Sequence, residues 1–137
     1  MRRTAIDTNI YTSFKRSDEG VIEAFRNCDV IGVDITVIAE LYSGFSLGNK
    51  EKKNRRELEA FLNSPRVEIF RHDLDTAEYY AFIVRTLKTK GRPIPTNDIW
   101  IAASAMKHGF SLYSFDGHFA EIEGLLLFPE TITQYYP

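Results

Sequence analysis

The sequence predicts an α/β fold: three layers, α/β/α, around a central and mainly parallel sheet of four to five strands. Three observations predict it. Short apolar segments alternate with helical periodicities along the chain, no hairpin signal joins consecutive strands, and the strand segments lack the polar alternation of a half-exposed sheet. With 137 residues, 44% of them hydrophobic and 26% charged, the chain fits one domain over residues 1–137 and excludes disordered and fibrous classes.

The first strand is Thr4-Ala5-Ile6, which runs into Asp7-Thr8-Asn9, residue types that cap helices, and then a helical stretch from Ile10 to Arg16. Glu19 to Arg26 carries Val21, Ile22 and Phe25 at helical spacing, and Val30 to Val33 reads as a strand buried on both faces. Val37, Ile38, Leu41 and Phe45 share one face of a helix from Thr36 to Leu47. After Gly48-Asn49 a charged helix from Lys50 to Leu62 forms a hairpin with it.

A third strand covers Val67 to Phe70, and a long helix runs from Leu74 to Lys90, closed by Gly91. Pro93 and Pro95 forbid helix; Thr96 or Asn97 then caps a helix that continues to His108, with Gly109 as its stop. Ser111 to Ser114 is the fourth strand, Phe115-Asp116-Gly117 a turn or short helix, and Leu125 to Phe128 the expected fifth strand.

The longest apolar run, Tyr79 to Val84, spans six residues against the ~20 that cross a bilayer, and the first twenty hold no secretory stretch. A chain that makes no use of membranes is expected. Cys28 is the single cysteine, so no internal disulfide and no thiolate metal site is available; it reads as a small core residue, and the cytoplasm as the compartment. His72, His108 and His118 lack paired metal-ligand spacing and read as surface, helix-terminal or turn residues. No glycine-rich phosphate loop occurs. Trp100 and the pair Tyr79-Tyr80 read as core or subunit-interface residues.

The formal charge is −2, which excludes a diffuse basic field. The bases cluster nonetheless: Lys50, Lys52, Lys53, Arg55 and Arg56 fall together, as do Arg85, Lys88, Lys90 and Arg92. Each cluster is either a solvated helix face or a contact for phosphates.

In parallel sheets ligands bind beyond the carboxyl ends of the strands. Asp7 and Asp116 each follow a strand, and Asp98 opens a helix after a proline-stiffened loop, so three acids meet at that rim. At about 100° per residue, Glu40 lies roughly 130° from the centre of its helix's apolar face, beside Thr36, Ser43 and Gly44, on a side that faces solvent or lines a cleft. Singly, each acid also fits an ordinary helix-terminal, turn or surface position. Together they would repel unless a cation compensates, and a site built from oxygen favours Mg²⁺ or Mn²⁺ over Zn²⁺.

Four motifs in order carry a family resemblance: Asp7-Thr8-Asn9 after the first strand, Ala39-Glu40-Leu41 on a helix, Ile94 to Ala103 around Asp98, and Ser114-Phe115-Asp116-Gly117-His118-Phe119. The chain resembles the PIN-domain family, and within it the VapC toxins of bacterial and archaeal toxin–antitoxin pairs, over essentially its whole length. The resemblance implies a single PIN-like domain and an endoribonuclease dependent on Mg²⁺ or Mn²⁺, with Asp7, Glu40, Asp98 and Asp116 as the metal-binding and catalytic acids. Thr8, Asn9 and Ser114 would orient the carboxylates and bound water; Ser114 stands where many relatives have threonine.

Hydrolysis by water would leave 5′-phosphate and 3′-hydroxyl ends. Lys50, Lys52, Lys53, Arg55, Arg56, Arg85, Lys88 and Arg92 would then flank the RNA. The resemblance further implies a homodimer and a cognate VapB-type antitoxin whose tail fills the acidic cleft. A PIN nuclease that processes RNA without being a toxin, and a catalytically silent binding module, are the competing readings.

Overall fold

The computed structural model describes residues 1–129; residues 130–137 of the expected domain lie outside the described ones. Among the described residues four strands, β1 (Arg3–Ile6), β2 (Val30–Asp34), β3 (Val67–Phe70) and β4 (Ser111–Tyr113), form one sheet in the order β3-β2-β1-β4, with every neighbouring pair parallel. Thr4 to Ile6 of β1 and Ile31 to Asp34 of β2 are all buried, so inner strands with no polar alternation are covered on both faces.

Six α-helices of the described residues join the strands: α1 (Thr8–Lys15), α2 (Glu19–Arg26), α3 (Ile35–Ser46), α4 (Glu51–Leu62), α5 (Leu74–Lys90) and α6 (Thr96–His108). Helix α5 packs along α6, while α3 contacts α1, α4 and α6. The hairpin of α3 and α4 is as expected. No helix among the described residues is long and apolar enough to cross a membrane. Cys28 is a buried core residue, and the Arg66 guanidinium donates to the carbonyls of Phe25 and Cys28 where α2 ends.

Two expectations need correction. Leu125 to Phe128 is not a fifth strand: Leu127 forms one isolated parallel bridge with Leu112. Among the described residues Leu112 alone pairs with the run, donating to the Leu126 carbonyl and accepting from the Phe128 N–H, both at 2.8 Å, and the side chains lie partly buried against the core without extending the ladder. The N-cap of α6 is Pro95, not Thr96 or Asn97, and no side chain caps the helix. The ring holds Pro95 at φ −57° with extended ψ, so Thr96 already takes the first helical position.

Gly32 in β2 has a packing reason. A Cβ there would stand 2.3 Å from Cζ of Phe70 and 3.1 Å from Cδ2 of Phe110, so these two rings occupy the space of a side chain. Phe70 also stacks on His108, with ring centroids 4.0 Å apart. Burial lowers the pKa of His108, whose Nε2 is buried without a hydrogen-bond partner among the described residues, consistent with a neutral ring.

Candidate functional site

The connections β1 to β2 to β3 step to one side, and β4 lies on the other side of β1. The winding direction therefore reverses between β1 and β4, which is where a parallel sheet opens a crevice at its carboxyl end. Asp7 leaves β1 at that edge, and Ser114 and Asp116 follow β4. Asp98 sits in the first turn of α6, and Glu40 in the middle of α3.

Hydrogen bonds through hydroxyls and amides tie Asp7, Glu40 and Asp116 together. Oγ of Ser114 donates to Oδ2 of Asp7 at 2.8 Å and accepts from the backbone N of Asp116 at 2.9 Å, so one hydroxyl fixes two carboxylate-bearing segments. Oγ1 of Thr8 donates to Oε1 of Glu40 at 2.6 Å, which shows that the side of α3 away from its apolar face lines the cleft. Asp7 also caps α1, its Oδ1 accepting from the Thr8 N–H at 2.8 Å.

Asp7 is 6% exposed. Burial pushes its carboxyl above the usual range; Ser114 and the Thr8 amide pull it back, and Glu40 and Asp116 raise it further. Asp98 is raised for the same first reason, with Asp7 and Asp116 adding to the effect and His118 opposing it. Acids that repel one another in a partly dry cleft fit a cation-binding role, and carboxylate oxygens suit a hard divalent ion. Asp98, Asp116 and His118 each bring one ligand atom within 4.8 Å of the others, a donor set that a divalent cation can use.

Two neighbours escaped the sequence reading. Nδ2 of Asn97 lies 3.4 Å from Oε2 of Glu40, a long donor contact from α6 to α3. His118 occupies a short 3-10 helix, Gly117–Glu121, as a turn histidine should, yet its Nδ1 stands 3.2 Å from Oδ1 of Asp116 and 3.4 Å from Oδ2 of Asp98. The signal was the spacing Asp116-Gly117-His118: an aspartate capping its own turn brings the second residue back over the carboxylate. Asn9, by contrast, is exposed and makes no side-chain hydrogen bond to the acids among the described residues.

A second buried strand-end carboxylate, absent from the expectations above, lies one strand away. Asp34, 2% exposed, caps α3 by accepting from the Thr36 N–H at 2.9 Å. It also accepts from the Ser104 hydroxyl, and both its oxygens lie within 3.1 Å of Nε2 of His72. His72 stacks on Trp100 at 4.4 Å with rings 12° apart, and Trp100 lies against Tyr80. Trp100 is thus half-buried and packed against His72 and Tyr80 without belonging to the core, while Tyr79 is exposed.

The basic clusters lie on exposed faces of α4 and at the end of α5. Arg55 is engaged, 3.5 Å from Glu51 and over the ring of Tyr42 at 3.9 Å. Lys90 donates to the carbonyl of Glu121 at 3.0 Å, which ties the α5 cluster to the segment carrying His118.

The PIN domain family model matches residues 4–125. Ribonuclease VapC2 of Rickettsia felis is 31% identical over 127 residues, 89% of this chain and 93% of that protein. Ribonuclease VapC4 of Mycobacterium tuberculosis is 26% identical over 122 residues, 88% of this chain and 91% of the relative. The structure of VapBC2 from Rickettsia felis, bound to a DNA fragment from its promoter, matches with a TM-score of 0.81 at 27% identity, covering 91% of this chain and 96% of that one. The order of strands, the acids gathered at the reversal point and these matches agree: the chain belongs to the PIN-domain family, and within it to the VapC ribonucleases.

Proposed function

We propose that this protein is the endoribonuclease toxin of a VapBC-type pair, cutting RNA with a divalent cation, Mg²⁺ or Mn²⁺, held by Asp7, Glu40, Asp98 and Asp116. The observation that carries the reading is the hydrogen-bonded frame around these acids: Ser114 joins Asp7 to the Asp116 turn, Thr8 joins Asp7 to Glu40, and His118 stands between Asp116 and Asp98. When bound, the cation supplies charge neutralisation at the scissile phosphate and acidifies the attacking water.

The chain's own residues supply position. Ser114 aims Asp7 and sets the turn of Asp116, Thr8 and Asn97 aim Glu40, and the proline-stiffened entry to α6 presents Asp98. Such preorganisation removes the reorganisation that flexible carboxylates would need on meeting substrate. RNA approaching an acidic rim needs cations at its flanks, and Lys50 just before α4, Lys52, Lys53 and Arg56 on it, with Arg85, Lys88 and Arg92 on or next to α5, are the bases for that role. Asn9, exposed at the start of α1 and away from the carboxylates' hydrogen bonds, keeps only the role of orienting bound water.

The cognate partner is a VapB-type antitoxin whose tail covers the acids, an arginine competing with the cation for them. A second copy of the chain is the expected partner, and Tyr79 and Phe82, exposed one turn apart on α5, are the apolar surface offered to it. A cytoplasmic setting suits a chain whose single cysteine is a reduced core residue.

The test is cleavage of total RNA by the purified chain with Mg²⁺ or Mn²⁺, with EDTA and Asp98→Ala as controls, followed by analysis of the ends. Cation-dependent cuts with 5′-phosphate and 3′-hydroxyl ends are expected; cyclic 2′,3′-phosphates would refute attack by water. Expression without the antitoxin should arrest growth, and undisturbed growth with active enzyme would point to an RNA-processing nuclease instead.

A further inference from the structure

We infer that His118 adds a nitrogen donor to the cation site between Asp98 and Asp116, and that this nitrogen tilts the site toward Mn²⁺ over Mg²⁺. The inference rests on the proposed function, in which the acids hold a divalent ion. It deepens that reading by naming a fifth ligand and its consequence for metal choice.

The geometry starts from the turn. Asp116 caps the 3-10 helix by accepting from the His118 N–H at 2.9 Å, which folds residue 118 back toward the carboxylate that precedes it. One ligand atom each from Asp98, Asp116 and His118 lie within 4.8 Å of one another. Donors around one small divalent ion, at bonds of about 2.1 to 2.3 Å, stand roughly 3 to 4.5 Å apart. The three atoms are therefore near the spacing of a shared ion. Nδ1 of His118, on a half-exposed ring, already stands 3.4 Å from Asp98 and 3.2 Å from Asp116, inside that range.

The chemistry then follows from the donor type. Mg²⁺ demands oxygen ligands in near-ideal octahedral geometry and keeps its waters, whereas imidazole suits transition ions, whose affinity for nitrogen sites rises from Mn²⁺ onward. Four carboxylates alone discriminate weakly between Mg²⁺ and Mn²⁺. A histidine among them strengthens Mn²⁺ binding and does little for Mg²⁺. The competing role is a counter-ion: His118 would pair with Asp98 and Asp116 in place of a metal, and removing it would then leave more room and charge for either ion.

These roles separate on the full-length chain and its His118→Gln and His118→Ala variants. Each is titrated calorimetrically with MnCl₂ and with MgCl₂, and Asp98→Asn serves as the control for the acids. Both His118 variants are expected to lose about tenfold or more in Mn²⁺ affinity and less than about threefold in Mg²⁺ affinity. Chain labelled with ¹⁵N-histidine and loaded with Mn²⁺ should show an electron–nuclear coupling to one nitrogen that His118→Gln abolishes. Equal losses for both ions, tighter Mn²⁺ binding in the variants, or an absent nitrogen coupling would overturn the inference while the acids' role stands, provided Asp98→Asn weakens binding. If Asp98→Asn has no effect or the unaltered chain binds neither ion, the underlying reading fails as well.

Discussion

Asp7 and Asp34 are near twins with opposite fates. They follow the paired residues Ile6 and Val33 of neighbouring parallel strands, each caps the helix that comes next, and both are almost wholly buried. Asp34 is surrounded by partners: the Thr36 amide, the Ser104 hydroxyl and the His72 ring. Asp7 has one hydroxyl and one amide, and its other neighbours of consequence are acids. A strand-end aspartate is structural when bases and hydroxyls close around it. It becomes available for chemistry when the surroundings add negative charge and leave the compensation to something that binds.

The comparison is broken most directly at Asp7. Asp7→Asn keeps the size and an acceptor for the Thr8 amide, so the fold should persist while RNA cleavage falls by more than about 100-fold, beyond the roughly 10- to 100-fold typical of residues that only orient ligands. Retained activity with an unchanged melting curve would remove Asp7 from the chemistry. At Asp34 the loss should appear in stability instead. Asp34→Ala strands the Ser104 hydroxyl, the His72 ring and a helix cap, and roughly 2 to 4 kcal/mol should be lost in urea unfolding. Next in size is Ser114→Ala, which unfastens Asp7 from the Asp116 turn; cation affinity or cleavage should drop by about 10- to 100-fold with little change in melting.

A pH series sharpens the contrast further. Burial holds the Asp7 and Asp98 carboxyls above their ordinary value of 3.8, so over the window from that value up to the raised ones the folded chain binds more protons than the unfolded chain. Stability of the metal-free protein should therefore fall as pH climbs through that window, and Asp7→Asn should flatten the fall. Thermal melts in EDTA from about pH 3.5 upward, repeated with a divalent cation, measure it, and a rise in stability across the window would contradict the assignment. The smallest effect is expected at the flanks. Reversing the charges of Lys52, Lys53 and Arg56 should lower the slope of log affinity for RNA against log salt by about 0.7 for each phosphate that is no longer neutralised, and an unchanged slope would leave those bases to solubility.

What was legible in the sequence divides along the same line. Asp7, Asp98 and Asp116 could be placed because each stands close to a strand end or a proline-bounded helix start, so local rules fixed their positions. Counting around a helix leaves Glu40 facing either solvent or a cleft, and the family resemblance is what chooses the cleft. Asp34 could not be read, because the residues that make it structural, His72 and Ser104, come 38 and 70 positions later and meet it only through tertiary packing. His118 belongs to a turn, as its neighbours in sequence imply, but a turn's direction depends on which atom caps it. The apolar run Leu125 to Phe128 resembles a strand because hydrophobicity reports burial and not pairing, and a single bridge was all the sheet took. Thr96 and Asn97 resemble caps by residue type, while the preceding proline already has the required dihedrals.

The ring of Phe70 resting over Gly32 has a consequence for the whole rim. If β2 slid along β3 by one position, the branched side chain of Ile31 or Val33 would be driven toward a ring that tolerates not even a methyl group. The two strands are thereby keyed like teeth in a lock, and the height at which β2 delivers its terminal aspartate, and with it the starting point of the helix that bears Glu40, is set by a missing side chain in the middle of the sheet.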